Sequence, residues 1–103
     1  MIGKWHEKRN RLGRVWTVFA LCDKNLLGRV LRQGESVLDL SLHRSFYEGD
    51  PMSEKVAEQC LKKARNINVV GEKSLGCARR VFKIENSSVK KIENVPHLQI
   101  YYV

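Results

Sequence analysis

Few residues of this chain have the types and spacing that chemistry requires. His97 and Gln99 stand two apart near the end of the sequence. Alternate residues of an extended strand share a face, so this pair can present an imidazole and a carboxamide together. Such a pair suits contact with a base edge or a carboxylate. It suits equally a hydrogen-bonded anchor for a last strand. Upstream, Gly71 and Glu72 sit where a β-branched run, Ile67, Val69 and Val70, gives way to Leu75, Ala78, Val81 and Phe82 at helical spacing. This reads as strand, glycine turn and helix. Free N–H groups at such a helix start form a potential anion seat. The plain alternative is a β-to-α connection. Glu72 and His97 would make an acid–base pair only if the turn lies beside the last strand.

Nothing stronger points to a reaction. The chain has no Gly-x-x-x-x-Gly-Lys, no serine-centred elbow and no dinucleotide fingerprint. Cys22, Cys60 and Cys77 are an odd number, contain no Cys-x-x-Cys and have no histidine at zinc-ligand spacing. They read as small core residues. The expectation is a protein without catalytic residues, metal or cofactor.

Charge is the broader signal. Nineteen Lys and Arg face eleven Asp and Glu, a formal +8 on 103 residues, with a pI near 9.7. An imbalance of this size implies a polyanionic partner. Lys8, Arg9, Arg11 and Arg14 are close in sequence, flanked by Trp5 and Trp16 and opposed only by Glu7. Reachable cations suffice for phosphate contacts, and arginine adds bidentate geometry. Lys62, Lys63 and Arg65, then Arg79, Arg80 and Lys83, add two further clusters on two helices. One field results if both helices lie on the same side of a sheet. The bland reading of each cluster is a solvated surface. The leading expectation is RNA, ribosomal RNA in particular, with ribosomal proteins as further neighbours. A protein-interaction or small-anion module using Gly71 and His97 stands second, and an enzyme third. No apolar run approaches a membrane span and no leader pattern is present, so the expected location is the cytoplasm.

The elements that must position these groups follow from the pattern. Hydrophobic residues are 43% and charged residues 29%, ordinary for one globular domain. Met1–His6 and Arg14–Leu21 read as a hairpin with a long basic loop. Asp23 can cap a single helical turn ending at Gly28. Arg29–Gly34 reads as a connector and Glu35–Leu42 as a strand. His43–Met52 reads as a loop, then a helix starts at Asp50-Pro51 or Ser53 and runs to about Arg65. Its apolar stripe is Val56, Ala57, Cys60, Leu61 and Ala64. After the central strand, turn and helix come a turn at Glu85–Ser88, a short strand Val89–Ile92, a turn at Glu93-Asn94 and a final strand Leu98–Val103. Pro96 confines that strand to an edge or places its start at His97. The whole is a mixed α+β domain over residues 1–103. It is an N-terminal hairpin followed by a β-α-β-α-β core, with a sheet of four or five strands and two main helices. Val18, Leu38, Leu40, Leu61, Val69, Leu75 and Ile100 are the expected core.

Several segments occur together in one family: Ala20-Leu-Cys-Asp-Lys-Asn-Leu-Leu-Gly28, Arg32-Gln-Gly-Glu35, Phe46-Tyr-Glu-Gly49, Ile67-Asn-Val-Val-Gly-Glu72 and Val95-Pro-His-Leu-Gln-Ile100. From about Arg14 onward the chain resembles the small archaeal proteins of domain-of-unknown-function family 424. The resemblance implies an archaeal cytoplasmic source and a compact mixed α/β domain, with a link to translation. It carries no reaction, cofactor or catalytic residue. The basic Lys8–Arg14 segment and the Lys/Arg excess depart from the family's usual acidic character.

Overall fold

The run Val15–Cys22 is rich in β-branched and aromatic residues and forms strand β2. It pairs antiparallel with β1, Ile2–Arg9, in a ladder that extends to Arg9↔Val15. The basic segment is therefore not a long loose loop. Lys8 and Arg9 belong to the strand, and only residues 10–14 turn. That turn is closed by Asn10, whose Oδ1 accepts the N–H groups of Leu12 and Arg14 at 2.9 and 3.0 Å. Gly13 supplies its positive φ of 78°.

The structure, a computed structural model, describes residues 1–101. The main sheet has six strands in the order β5-β1-β2-β6-β8-β7, larger than the four or five expected. The remaining members are β5 (Asp50–Pro51), β6 (Asn66–Val70), β7 (Lys90–Ile92) and β8 (Val95–Ile100). β2 and β6 are parallel, and the other pairs are antiparallel. Two strands form a separate hairpin, β3 (Val30–Gln33) and β4 (Ser36–Asp39). The supposed connector Arg29–Gly34 is thus mostly strand. Only Leu31 of β3 is buried, so its charges hide the alternation.

Three helices complete the fold: α1 (Arg44–Tyr47), α2 (Glu54–Lys63) and α3 (Glu72–Val81). Ser53 caps α2 by accepting the N–H of Val56. Ala57, Leu61 and Ala64 of its stripe are buried, whereas Val56 is exposed. α2 and α3 pack on one face of the sheet against Phe19, Leu21, Ile67, Val69 and Leu98. The other face carries α1 and the β3–β4 hairpin, packed on Ala20, Cys22, Val70 and Ile92. The sheet is therefore covered on both sides at its centre, and the central strand β6 is buried at every position. Of the expected core, Val18, Leu40, Leu61, Val69 and Leu75 are buried; Leu38 and Ile100 are half-buried. The radius of gyration, 13.3 Å, is that of a single compact domain of about 100 residues.

Pro96 lies inside β8, between two neighbours, and the strand begins at Val95. This corrects the expectation of an edge strand or a start at His97. The ladder with β6 begins only at Val70↔His97. At Pro96 the chain on that side has already turned away, and the Pro96 carbonyl accepts the N–H of Gly71 instead. The missing proline N–H therefore falls where no ladder needs it. The Glu93-Asn94 turn joins β7 to β8 with φ of 51° and 64°, the two left-handed residues of a tight hairpin. Of the proposed last strand, Leu98–Ile100 is β8, and Tyr102 and Val103 lie outside the described residues.

Candidate nucleic-acid interface

The glycine turn is where the parallel pair ends, and the chain fills it itself. Gly71 has φ 109° and leads into α3. The Asp23 carboxylate, from the end of β2, accepts the N–H of Lys73 at 3.1 Å and the N–H of Ser74 at 2.8 Å. The Ser74 hydroxyl donates to it at 2.7 Å. A carboxylate at a helix start satisfies orphan donors and the helix dipole together. Asp23 thus caps α3 and not its own short turn Lys24–Leu26, to which its side chain makes no cap bond. The N–H groups of Gly71, Lys73 and Ser74, which would help seat an outside anion, already have acceptors within the chain. The neighbouring Cys22 thiol is pushed up to about 12 by burial and the adjacent Asp23 charge, and it stays protonated.

Glu72 and His97 are placed apart. Glu72 is exposed at the start of α3, lining cavities beside Gly71 and along α3. His97 points to the opposite side of the sheet, in a small pocket of about 210 Å³ with Lys90 and Gln99. There Nε2 of His97 donates to Asn68 Oδ1 at 3.1 Å, an oxygen that also accepts the Tyr47 hydroxyl at 2.7 Å. A carboxamide oxygen only accepts, so the His97 proton sits on Nε2. Burial, aided by the Lys90 ammonium, lowers the His97 pKa. The Asn68 Nδ2 group reaches the Tyr101 hydroxyl at 3.4 Å. Gln99 is exposed beside this network. His97 is thus tied to a buried amide, the anchoring role its sequence position also allowed.

The cations divide into two groups. Arg80 pairs with Glu58 and, at 3.6 Å, with Glu54. Arg79 donates to the Ile84 carbonyl at 3.1 Å and to Asn86 at 3.0 Å. These two arginines fasten α3 to its surroundings. Among the described residues, Lys8, Arg9, Arg11, Arg14, Lys62, Lys63 and Arg65 form no salt bridge. They also share one end of the molecule. β2 starts at the hairpin tip, β6 lies parallel to it, and only Ala64 and Arg65 separate the end of α2 from β6. The last turn of α2, with Lys62 and Lys63, is therefore delivered beside the hairpin.

Two of these cations, Arg14 and Arg65, meet at a cleft of about 480 Å³ where β2 overhangs β6. Pairing between the two begins only at Val18↔Asn66. Arg14, Trp16 and Arg65 line the cleft together. Asn66 closes its floor by donating to the Thr17 carbonyl at 2.8 Å. The tip itself is exposed, with Leu12 83% accessible at its apex. Sequence spacing found the cations but not the cleft, because Arg14 and Arg65 are brought together by strand pairing alone. Asp23 and Asn68 escaped for the same reason.

The arrangement defines a small α+β domain with a basic hairpin arm and no group of three or more potential metal ligands among its described residues. A family model described as "Protein of unknown function (DUF424)" matches residues 13–103, and the chain belongs to that family. The match starts at the end of the hairpin turn, so Lys8, Arg9 and Arg11 lie before it. The chain is similar to the crystal structure of an uncharacterized conserved protein from Methanopyrus kandleri. The TM-score is 0.78 at 25% identity, over 97% of this chain and 89% of the other. No curated protein matches. Among the described residues no helix is long and apolar enough to cross a membrane.

Proposed function

We propose that this protein is a non-catalytic RNA-binding protein that engages RNA with the end of the domain formed by the β1–β2 hairpin and the C-terminus of α2. The observation that supports this most is the placement there of seven cations that form no salt bridge among the described residues. Side chains that the fold leaves uncompensated repel one another, a cost that a phosphate backbone relieves. The Gly71 turn supports an outside anion less well, because Asp23 already accepts the N–H groups of Lys73 and Ser74.

Ribosomal RNA is the target this reading favours, given the net charge of +8 on so short a chain. The test is sedimentation of extracts from the native cells. The protein should travel with a ribosomal subunit at low salt and be released as salt rises. A protein that stays at the top of the gradient, and retains no RNA when purified at low salt, refutes the proposal.

A further inference from the structure

The cleft between β2 and β6 has more than charge. Trp16 is half-buried there, with Arg14 and Arg65 lining the same space. Its volume of about 480 Å³ falls in the range of cavities that hold small ligands. The backbone is presented as well. In an antiparallel ladder successive residues direct their N–H and C=O groups to opposite sides. Thr17 directs its carbonyl toward Asn66, so Val15, two residues earlier, directs its peptide groups to the same side. β6 has not yet begun at that level. Cations, an indole and strand-edge peptide groups thus line one concave site.

A continuous duplex keeps its bases stacked and offers such a site only phosphate and sugar. An unpaired nucleotide offers phosphate, a π-face and base edges at once. We propose that the cleft seats one unstacked nucleotide of single-stranded RNA, its base against the Trp16 indole and its flanking phosphates on Arg14 and Arg65. This rests on the RNA-binding reading and specifies the RNA. Bases are read through stacking and the peptide edge of β2, so preference among the four bases is weak.

The test uses the full chain carrying Trp5→Phe, which leaves Trp16 as the single tryptophan. Its fluorescence is followed on titration with a ten-nucleotide oligouridine, the same oligomer with abasic sugars, and a ten-base-pair RNA duplex. Oligouridine should quench Trp16, and the abasic oligomer should bind about tenfold more weakly without quenching. Trp16→Ala should weaken oligouridine binding about tenfold and leave duplex binding unchanged, while Trp16→Phe retains most of the affinity. Equal binding of intact and abasic oligomers, with Trp16 unquenched, overturns the stacked nucleotide and leaves the electrostatic reading standing. No binding of any of the three at low salt overturns both. A Trp16→Ala variant with altered melting is replaced in the comparison by Trp16→Phe against the abasic oligomer.

Discussion

At the C-terminal ends of β2 and β6, a carboxylate from one strand reaches across and fills the start of the helix that follows the other. At the other end β2 runs on past the start of β6, and Arg14 and Arg65 line the cleft left there. Both ends present charge where a parallel pair stops. One end answers it internally, and its groups are buried: Asp23 is 8% accessible and Ser74 fully covered. The other leaves it to solvent. The difference separates residues that hold the domain together from residues available to a partner, which charge counting along the chain does not do. Arg79 and Arg80 belong with the first group, although in sequence they resemble the second.

The closed end is disrupted most directly at Gly71. Its φ of 109° is a region that side chains rarely adopt, costing about 1–3 kcal/mol. A Cβ there would also overlap the Asp23 carboxylate. Gly71→Ala should therefore destabilise by about 3 kcal/mol or more in urea unfolding, strain plus a damaged cap. Asp23→Ala comes next. It removes the acceptor of three hydrogen bonds and should cost about 2 kcal/mol. The double variant should cost less than the sum, because the methyl group added at the turn then has no carboxylate to displace. Strict additivity would show that the turn and the cap are independent.

How much of this is legible beforehand depends on whether a contact is local. The strand–turn–helix around Gly71 is legible, since β-branched residues, one glycine and helical spacing are all written within it. Ser53 as a cap and the two-residue Glu93-Asn94 turn are legible for the same reason. Asp23 reads in sequence as the cap of its own turn because its true partners, Lys73 and Ser74, are about fifty residues away and only the β2–β6 register joins them. Half of the β3–β4 hairpin escapes because its four-residue strands bury little beyond Leu31. The basic segment reads as all loop because charge masks strand periodicity. Yet Lys8 and Arg9 continue a ladder driven by Trp16 and Val15 opposite them. The cations of the candidate site can be named from sequence; their shared end, and the commitment of Arg79 and Arg80 elsewhere, follow from topology.

A smaller effect sharpens the closed end. His97 pairs in register with Val70, the residue before the turn. Burial first, then Lys90, holds its pKa below the ordinary 6.5. The unfolded chain accepts a proton that the folded chain resists. This contribution to stability is present above about pH 6.5 and drains away as the pH falls through and below it. His97→Gln should flatten that part of the pH profile, measured as the difference in Tm between pH 8 and pH 5.5, while other groups keep their own dependence. An unchanged profile would show that His97 is protonated as readily in the fold as out of it.

The smallest effect on stability should come from the open end, where the largest effect on binding is expected. Arg9, Arg11 and Arg14 are exposed and form no salt bridge among the described residues. Replacing all three with alanine removes little packing, and each site should change stability by no more than about 0.5 kcal/mol. Each phosphate they neutralise releases condensed counterion, so log affinity for RNA falls linearly with log salt, by about 0.7 to 0.9 per contact. The triple variant should therefore bind RNA more weakly at low salt, with a slope shallower by about two. Arg80→Ala should leave the slope unchanged, because Glu54 and Glu58 already neutralise that guanidinium. A slope altered by Arg80→Ala and untouched by the triple variant would move the footprint from the hairpin end to the flank of α3.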